Sequence, residues 1–128
     1  PLPKGGGLIR VYLTETMRLL ECIRAEYCER KGLGTPALRV GSGYRSPTVN
    51  KAVGGVKNSA HMYGYAADLN PVNGNEDEFE RFMANEFSKM GYAYDQIIIE
   101  KSKTARWVHV GYKRPDGKQR RMCFHLKV

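Results

Sequence analysis

Three strand-like runs crowd the end of this chain, and the links between them are too short to hold a helix. Asp95–Glu100 is rich in isoleucine, Trp107–Tyr112 alternates, and Arg120–Leu126 follows a Pro-Asp-Gly turn. Links of hairpin length predict antiparallel pairing and exclude a doubly wound parallel sheet. Upstream, apolar residues recur at helical spacing from Leu8 to Lys31 (Ile9, Leu13, Met17, Leu20, Ile23, Tyr27), and Gly32 is a helix stop. Asn75 opens a second long helix with Glu78 three residues on, a capping-box pattern, and Gly91 ends it. Phe79, Phe82, Met83, Phe87 and Met90 lie along its apolar side.

Between the helices, Leu38–Tyr44 reads as a strand whose Gly41 and Gly43 suggest a bulge. Pro47–Val53 reads as a short helix capped by Ser46, Lys57–Tyr63 as loop, and Tyr65–Leu69 as strand. The expected fold is α+β: a central antiparallel sheet flanked by two long helices. At 128 residues the chain is expected to form a single domain over 1–128.

The charge balance, 21 Lys and Arg against 13 Asp and Glu, gives a formal +8 and favours an anionic partner. From Lys101 onward nine cations face one acid, Asp116. No RNP-like, zinc-finger or helix-turn-helix signature accompanies them, so nucleic acid is not the expected partner. No apolar run approaches the roughly 20 residues of a membrane span. The first residues lack a signal-peptide pattern, and the compartment is not legible. Cys22, Cys28 and Cys123 form no metal or redox motif and read as buried free thiols.

His61, His109 and His125 are the only histidines. On one helix His61 and Asp68 would stand about 10 Å apart along the axis, too far to share an ion. A loop running into a strand can bring them together, and Gly64 favours that reading. On a strand, Trp107, His109 and Gly111 share one face while Val108, Val110 and Tyr112 share the other. The apolar row belongs against a helix, which leaves His109 on the open side. Two histidines and one aspartate suit a catalytic zinc with a free fourth position. Taken alone, the spacing is equally that of an ordinary strand histidine. His125, near the C-terminus, reads as structural.

The stretch GYRSPTVNKAVGGVKNSAHMYGYAADL adds to this. Ser59, His61, Gly64, Ala66 and Asp68 match the pattern S-x-H-x-x-G-x-A-x-D, and Tyr44-Arg45-Ser46, Asn50 and Gly54-Gly55 also fit. Together with DQIIIE and WVHV, the chain from Leu38 to Tyr112 resembles the zinc D-alanyl-D-alanine carboxypeptidase family. That family includes vancomycin-resistance dipeptidases and phage peptidoglycan endopeptidases, and shares its fold with the hedgehog signalling domain. The resemblance implies one zinc ion on His61, Asp68 and His109, and peptidoglycan stem peptide as substrate. It implies that Arg45 stabilises an oxyanion or anchors a carboxylate. Ser59, Tyr44 and Trp107 are assigned to the substrate.

Many relatives carry a catalytic acid three residues before the last zinc histidine. Here Arg106 stands at that position and cannot serve as a base. Glu100, at the end of the preceding strand run, is the candidate base, and Asp95 the fallback. The expected activity is a zinc-dependent carboxypeptidase or endopeptidase, acting as a monomer on cell wall in the manner of a phage or prophage lysin. The alternative is a non-catalytic zinc-binding recognition module, which the Arg106 departure supports.

Overall fold

The computed structural model describes residues 6–32, 38–42, 61 and 64–128. The expected Pro47–Val53 helix lies outside them. Helix α1 (Gly6–Lys31) buries Thr16, Leu19, Leu20, Ile23 and Tyr27, one face at helical spacing. Met17, expected on that face, is 48% exposed instead. Gly32, at φ +64°, ends the helix after Arg30 and Lys31.

Helix α2 (Glu76–Asn85) starts at Asn75, whose side chain accepts from the Glu78 N–H at 3.2 Å. It is shorter than expected. Glu86 takes a non-helical backbone, φ −120°, and a 3₁₀ turn over Phe87–Lys89 replaces the last turns. Lys31 holds the Glu86 carboxylate at 2.8 Å, and the tightened turn stacks Phe87 on Tyr92 with ring centroids 5.0 Å apart. One long and one short helix, not two long ones, build the helical layer.

Five strands form one sheet in the order β1-β2-β4-β3-β5: β1 (Leu38–Ser42), β2 (Ala66–Pro71), β3 (Gln96–Lys101), β4 (Arg106–Gly111) and β5 (Met122–Lys127). β1–β2, β2–β4 and β4–β3 pair antiparallel, whereas β5 runs parallel to β3. The sheet is therefore mixed, which corrects the antiparallel expectation. The β4–β5 link is short, but β2 already occupies the far edge of β4. β5 therefore passes beyond β4 and takes the outer edge of β3.

The sheet has two unlike faces. Ala67, Leu69, Ile97, Ile99, Val108 and Val110 point one way and form a single core with α1 and α2. The opposite face carries Asp68, His109 and their neighbours. Thr16 joins the layers: its hydroxyl donates to the Gly64 carbonyl at 2.7 Å and fixes the approach to β2. Cys22 and Cys28 are part-exposed and Cys123 is exposed, so the expectation of buried thiols fails.

Asp95 locks the start of β3. Arg120 reaches both its carboxylate oxygens, at 2.8 and 2.7 Å, and the Arg120 backbone N–H adds a third bond at 2.9 Å. Burial alone would raise this carboxyl, but the Arg120 bonds and charge outweigh it and hold the pKa below the ordinary value. The associated stability is complete above the unfolded pKa of about 4 and drains as pH falls through the lower native pKa. Asp95→Asn should cost about 2 kcal/mol at neutral pH. Urea unfolding from pH 7 to pH 3 should show a shallower acid loss in the variant than in the wild type; equal slopes would exclude Asp95 as a source of acid sensitivity.

Candidate metal centre

Strand register sets the open face as successive rows. Ser42, Asp68, His109, Ile98 and Phe124 are Cα partners across all five strands. One pleat along, Trp107, Glu100 and Leu126 are partners; one pleat back, Ala66, Gly111, Gln96 and Met122 are. His109 and Asp68 are thus directly opposed on adjacent strands. His61 arrives from the loop before β2, where the Gly64 N–H donates to the His61 carbonyl at 3.3 Å. Gly64, at φ +77°, allows the turn that follows.

Asp68 Oδ1 lies 3.1 Å from His109 Nδ1 and 3.4 Å from His61 Nε2. One ligand atom from each of the three residues falls within 4.8 Å of the others. His61 is buried, and Asp68 and His109 are partly so. The ring edges meet at a steep angle, 66°, with centroids 5.1 Å apart. A Cβ on Gly111 would stand 3.6 Å from His109 Nε2, so that nitrogen faces Gly111 while Nδ1 faces the cluster.

Burial pushes the Asp68 carboxyl up, but the bonds to His109 and His61 outweigh it and bring its pKa to about 2. The carboxylate is therefore ionised across the whole ordinary pH range. Tetrahedral ligands about 2.0–2.1 Å from one zinc stand about 3.3 Å apart. The spacings of 3.1 and 3.4 Å bracket that value. Two imidazoles and a carboxylate are also the N and O donors zinc accepts, so the residues present fit the ion.

Glu100 borders this cluster. It pairs with Trp107, which makes it the diagonal neighbour of His109 at about 7–8 Å between backbones. Burial raises the Glu100 carboxyl above its ordinary value, opposed by the charge of His109. Asp95, the fallback base, sits before the other end of β3, about 17 Å along the strand, with its carboxylate held by Arg120. The structure does not bring Asp95 to the cluster.

Arg106 is three residues from His109 on one strand, so the two side chains take opposite faces. Its guanidinium grips Glu80 of α2 with two bonds of 2.7 Å and Asp77 with one of 2.6 Å. A residue there cannot act on the open face, whatever its charge. Asn70, which the sequence reading missed, donates from Nδ2 to the Arg106 carbonyl at 2.8 Å and ties β2 to β4. The signal for Arg106 was available: strand parity, plus the acid-rich first turns of α2. Tyr44, Arg45 and Ser59 lie outside the described residues. His125 is exposed on β5, away from the cluster row.

A His-Asp-His donor set on the open face of an α+β sheet is the kind of centre that holds a metal ion in a metalloprotein. The comparison with known sequences narrows that class. The chain belongs to the peptidase M15 family, whose model matches residues 5–110. A stretch of 40 residues is 52% identical to part of the zinc D-Ala-D-Ala carboxypeptidase of Streptomyces albus G, covering 31% of this chain and 16% of that protein. The match thus spans less than a fifth of that relative's length.

Asp68→Ala and His109→Ala should each lower zinc affinity by more than the roughly 100-fold that outer-shell changes reach. Competition with a chromogenic chelator measures this; a variant that still holds zinc at wild-type affinity would remove that residue from the donor set. Arg106→Ala leaves the buried Glu80 carboxylate with only the Lys101 ammonium, 3.8 Å away, and should cost about 2 kcal/mol while leaving zinc stoichiometry intact. Denaturant unfolding beside metal analysis separates the two effects.

Proposed function

We propose that this chain is a zinc peptidase that hydrolyses amide bonds in peptidoglycan stem peptides, with the ion held by His61, Asp68 and His109. The observation that carries the reading is the spacing of the three donors on one face, with Glu100 diagonal to His109. When bound, zinc supplies Lewis-acid activation of a water and of the amide carbonyl. Asp68 keeps its negative charge throughout and orients both imidazoles.

Glu100 takes a proton from the attacking water and returns it to the leaving amine. Burial raises its pKa above the ordinary carboxyl value. Arg45 supplies a fixed positive charge for the developing oxyanion or a substrate carboxylate, as in the resembled family. Tyr44, Ser59 and Trp107 contact the peptide. Excess positive charge draws the protein to an anionic wall polymer.

The recognition-module alternative rested on a cation at the position of an expected acid. With Arg106 facing α2, that reason lapses.

Mass spectrometry of purified peptidoglycan after incubation with zinc-loaded protein, with and without chelator, tests the proposal. New stem-peptide fragments that vanish with chelator are expected. Their masses distinguish removal of a terminal residue from an internal cut. Glu100→Gln should retain zinc and lose about 10²–10⁴ in kcat. An unchanged digest would overturn the substrate, and unchanged turnover in the variant would overturn the base.

A further inference from the structure

Trp107 carries a buried polar atom that closes no hydrogen bond of full geometry among the described residues, its indole Nε1, and the Glu100 carboxyl is near enough to feel it as a donor. Such an orphan is uncommon and costs stability, so it calls for a reason. Trp107 and Glu100 are direct cross-strand partners on the open face, one pleat from the Asp68–His109 row. Partner Cβ atoms in an antiparallel pair stand about 4.5–5.5 Å apart, within reach of an indole N–H and a carboxylate.

We propose that the Trp107 indole N–H is a positioning donor for the Glu100 carboxylate, holding one oxygen so that the other is presented to the metal cluster. This role rests on Glu100 being the base. The indole is a donor only, so it cannot accept the proton that Glu100 handles. It favours the charged carboxylate, as any N–H donated to a carboxylate does. Without such a donor, a glutamate with three rotatable bonds loses side-chain entropy on each approach to the cluster. Catalytic hydrogen bonds are often long before substrate or metal is in place and tighten afterwards. The orphan N–H is the donor half of such a bond. Trp107 acts here through Glu100, which goes beyond a role as a wall of the substrate cleft.

Trp107 is the only tryptophan in the chain, so one indole N–H resonance reports on it without assignment. In a ¹H–¹⁵N correlation spectrum of the zinc-loaded protein, that resonance should lie downfield. It should move upfield in Glu100→Gln and further in Glu100→Ala, with the backbone amide pattern otherwise kept. Trp107→Phe, which keeps an aromatic ring and loses the donor, should lower kcat about tenfold, the size of one charge-assisted hydrogen bond. Zinc stoichiometry should hold, and the loss should fall on kcat more than on KM. In a Glu100→Gln background the same change should cost less than twofold.

An indole resonance indifferent to both Glu100 variants would overturn the proposal. So would a Trp107→Phe effect confined to KM, which marks a cleft wall instead. If no peptidoglycan fragment appears with the wild type, the proposed substrate fails on its own. The positioning bond is then judged by the resonance alone: movement with Glu100 supports it, and no movement overturns it.

Discussion

The register between β2, β4 and β3 is the constraint from which the rest follows. Asp68 opposes His109, His109 opposes Ile98, and Glu100 opposes Trp107. Side chains on a strand alternate between faces, so a slip of one residue would exchange every site residue for a core residue. His109 would enter the packed layer and Val108 would face the cleft. The hydrophobic effect therefore enforces the chemistry indirectly. Ile97, Ile99, Val108, Val110 and Leu69 are nearly or fully buried against α1 and α2, and any other register would expose them. Asn70 and the Arg106 grip on Glu80 act on the same register from its edge and from the helix side.

The two faces of the sheet hold charge differently. On the helix side, Arg106 closes on buried Glu80 in a bidentate pair, an arrangement that neutralises both groups. On the open side, Asp68 stands between two imidazoles and Glu100 stands apart with its pKa raised. The two carboxyls are thereby driven in opposite directions, one held in its ionised form and the other raised by burial. Such divergence is how one site assigns different tasks to like groups. It arises from placement: Asp68 has two histidines within 3.4 Å, and Glu100, two strands away across β4, is dominated by burial.

Much of this was legible from residue order, and what was not has identifiable causes. The α+β class followed from strands gathered at the chain end, and the open side of β4 followed from alternation in Trp107–Tyr112. The gathering of His61, Asp68 and His109 was approachable because a loop-to-strand reading allowed it and a helix did not. Parity along β4 places Arg106 opposite His109, yet a position counted back from the last histidine hid that. The early end of α2 was invisible because Phe87 and Met90 continue the helical spacing; the break falls at Glu86, whose carboxylate pairs with Lys31 across the molecule. Tertiary partners of that kind leave no local trace.

The parallel placement of β5 shows how topology can tune a site that it does not contribute to. Links of hairpin length suggested that each late strand would pair with its predecessor. β4 was instead saturated on both edges, by β2 and β3, and the last strand had to close the far side of β3. Without β5, β3 would be an edge strand and Glu100 a solvated rim carboxylate. With it, Leu126 stands opposite Glu100 and Phe124 opposite Ile98, and the carboxyl is half-buried. Desolvation is the largest influence raising its pKa. The last strand thus helps to raise the pKa of a carboxyl on its neighbour, though none of its own side chains belongs to the donor set. On this side the outer strand is β5 itself, which carries Arg121 just before it and Lys127 at its end, and cations of this kind discourage further strand pairing.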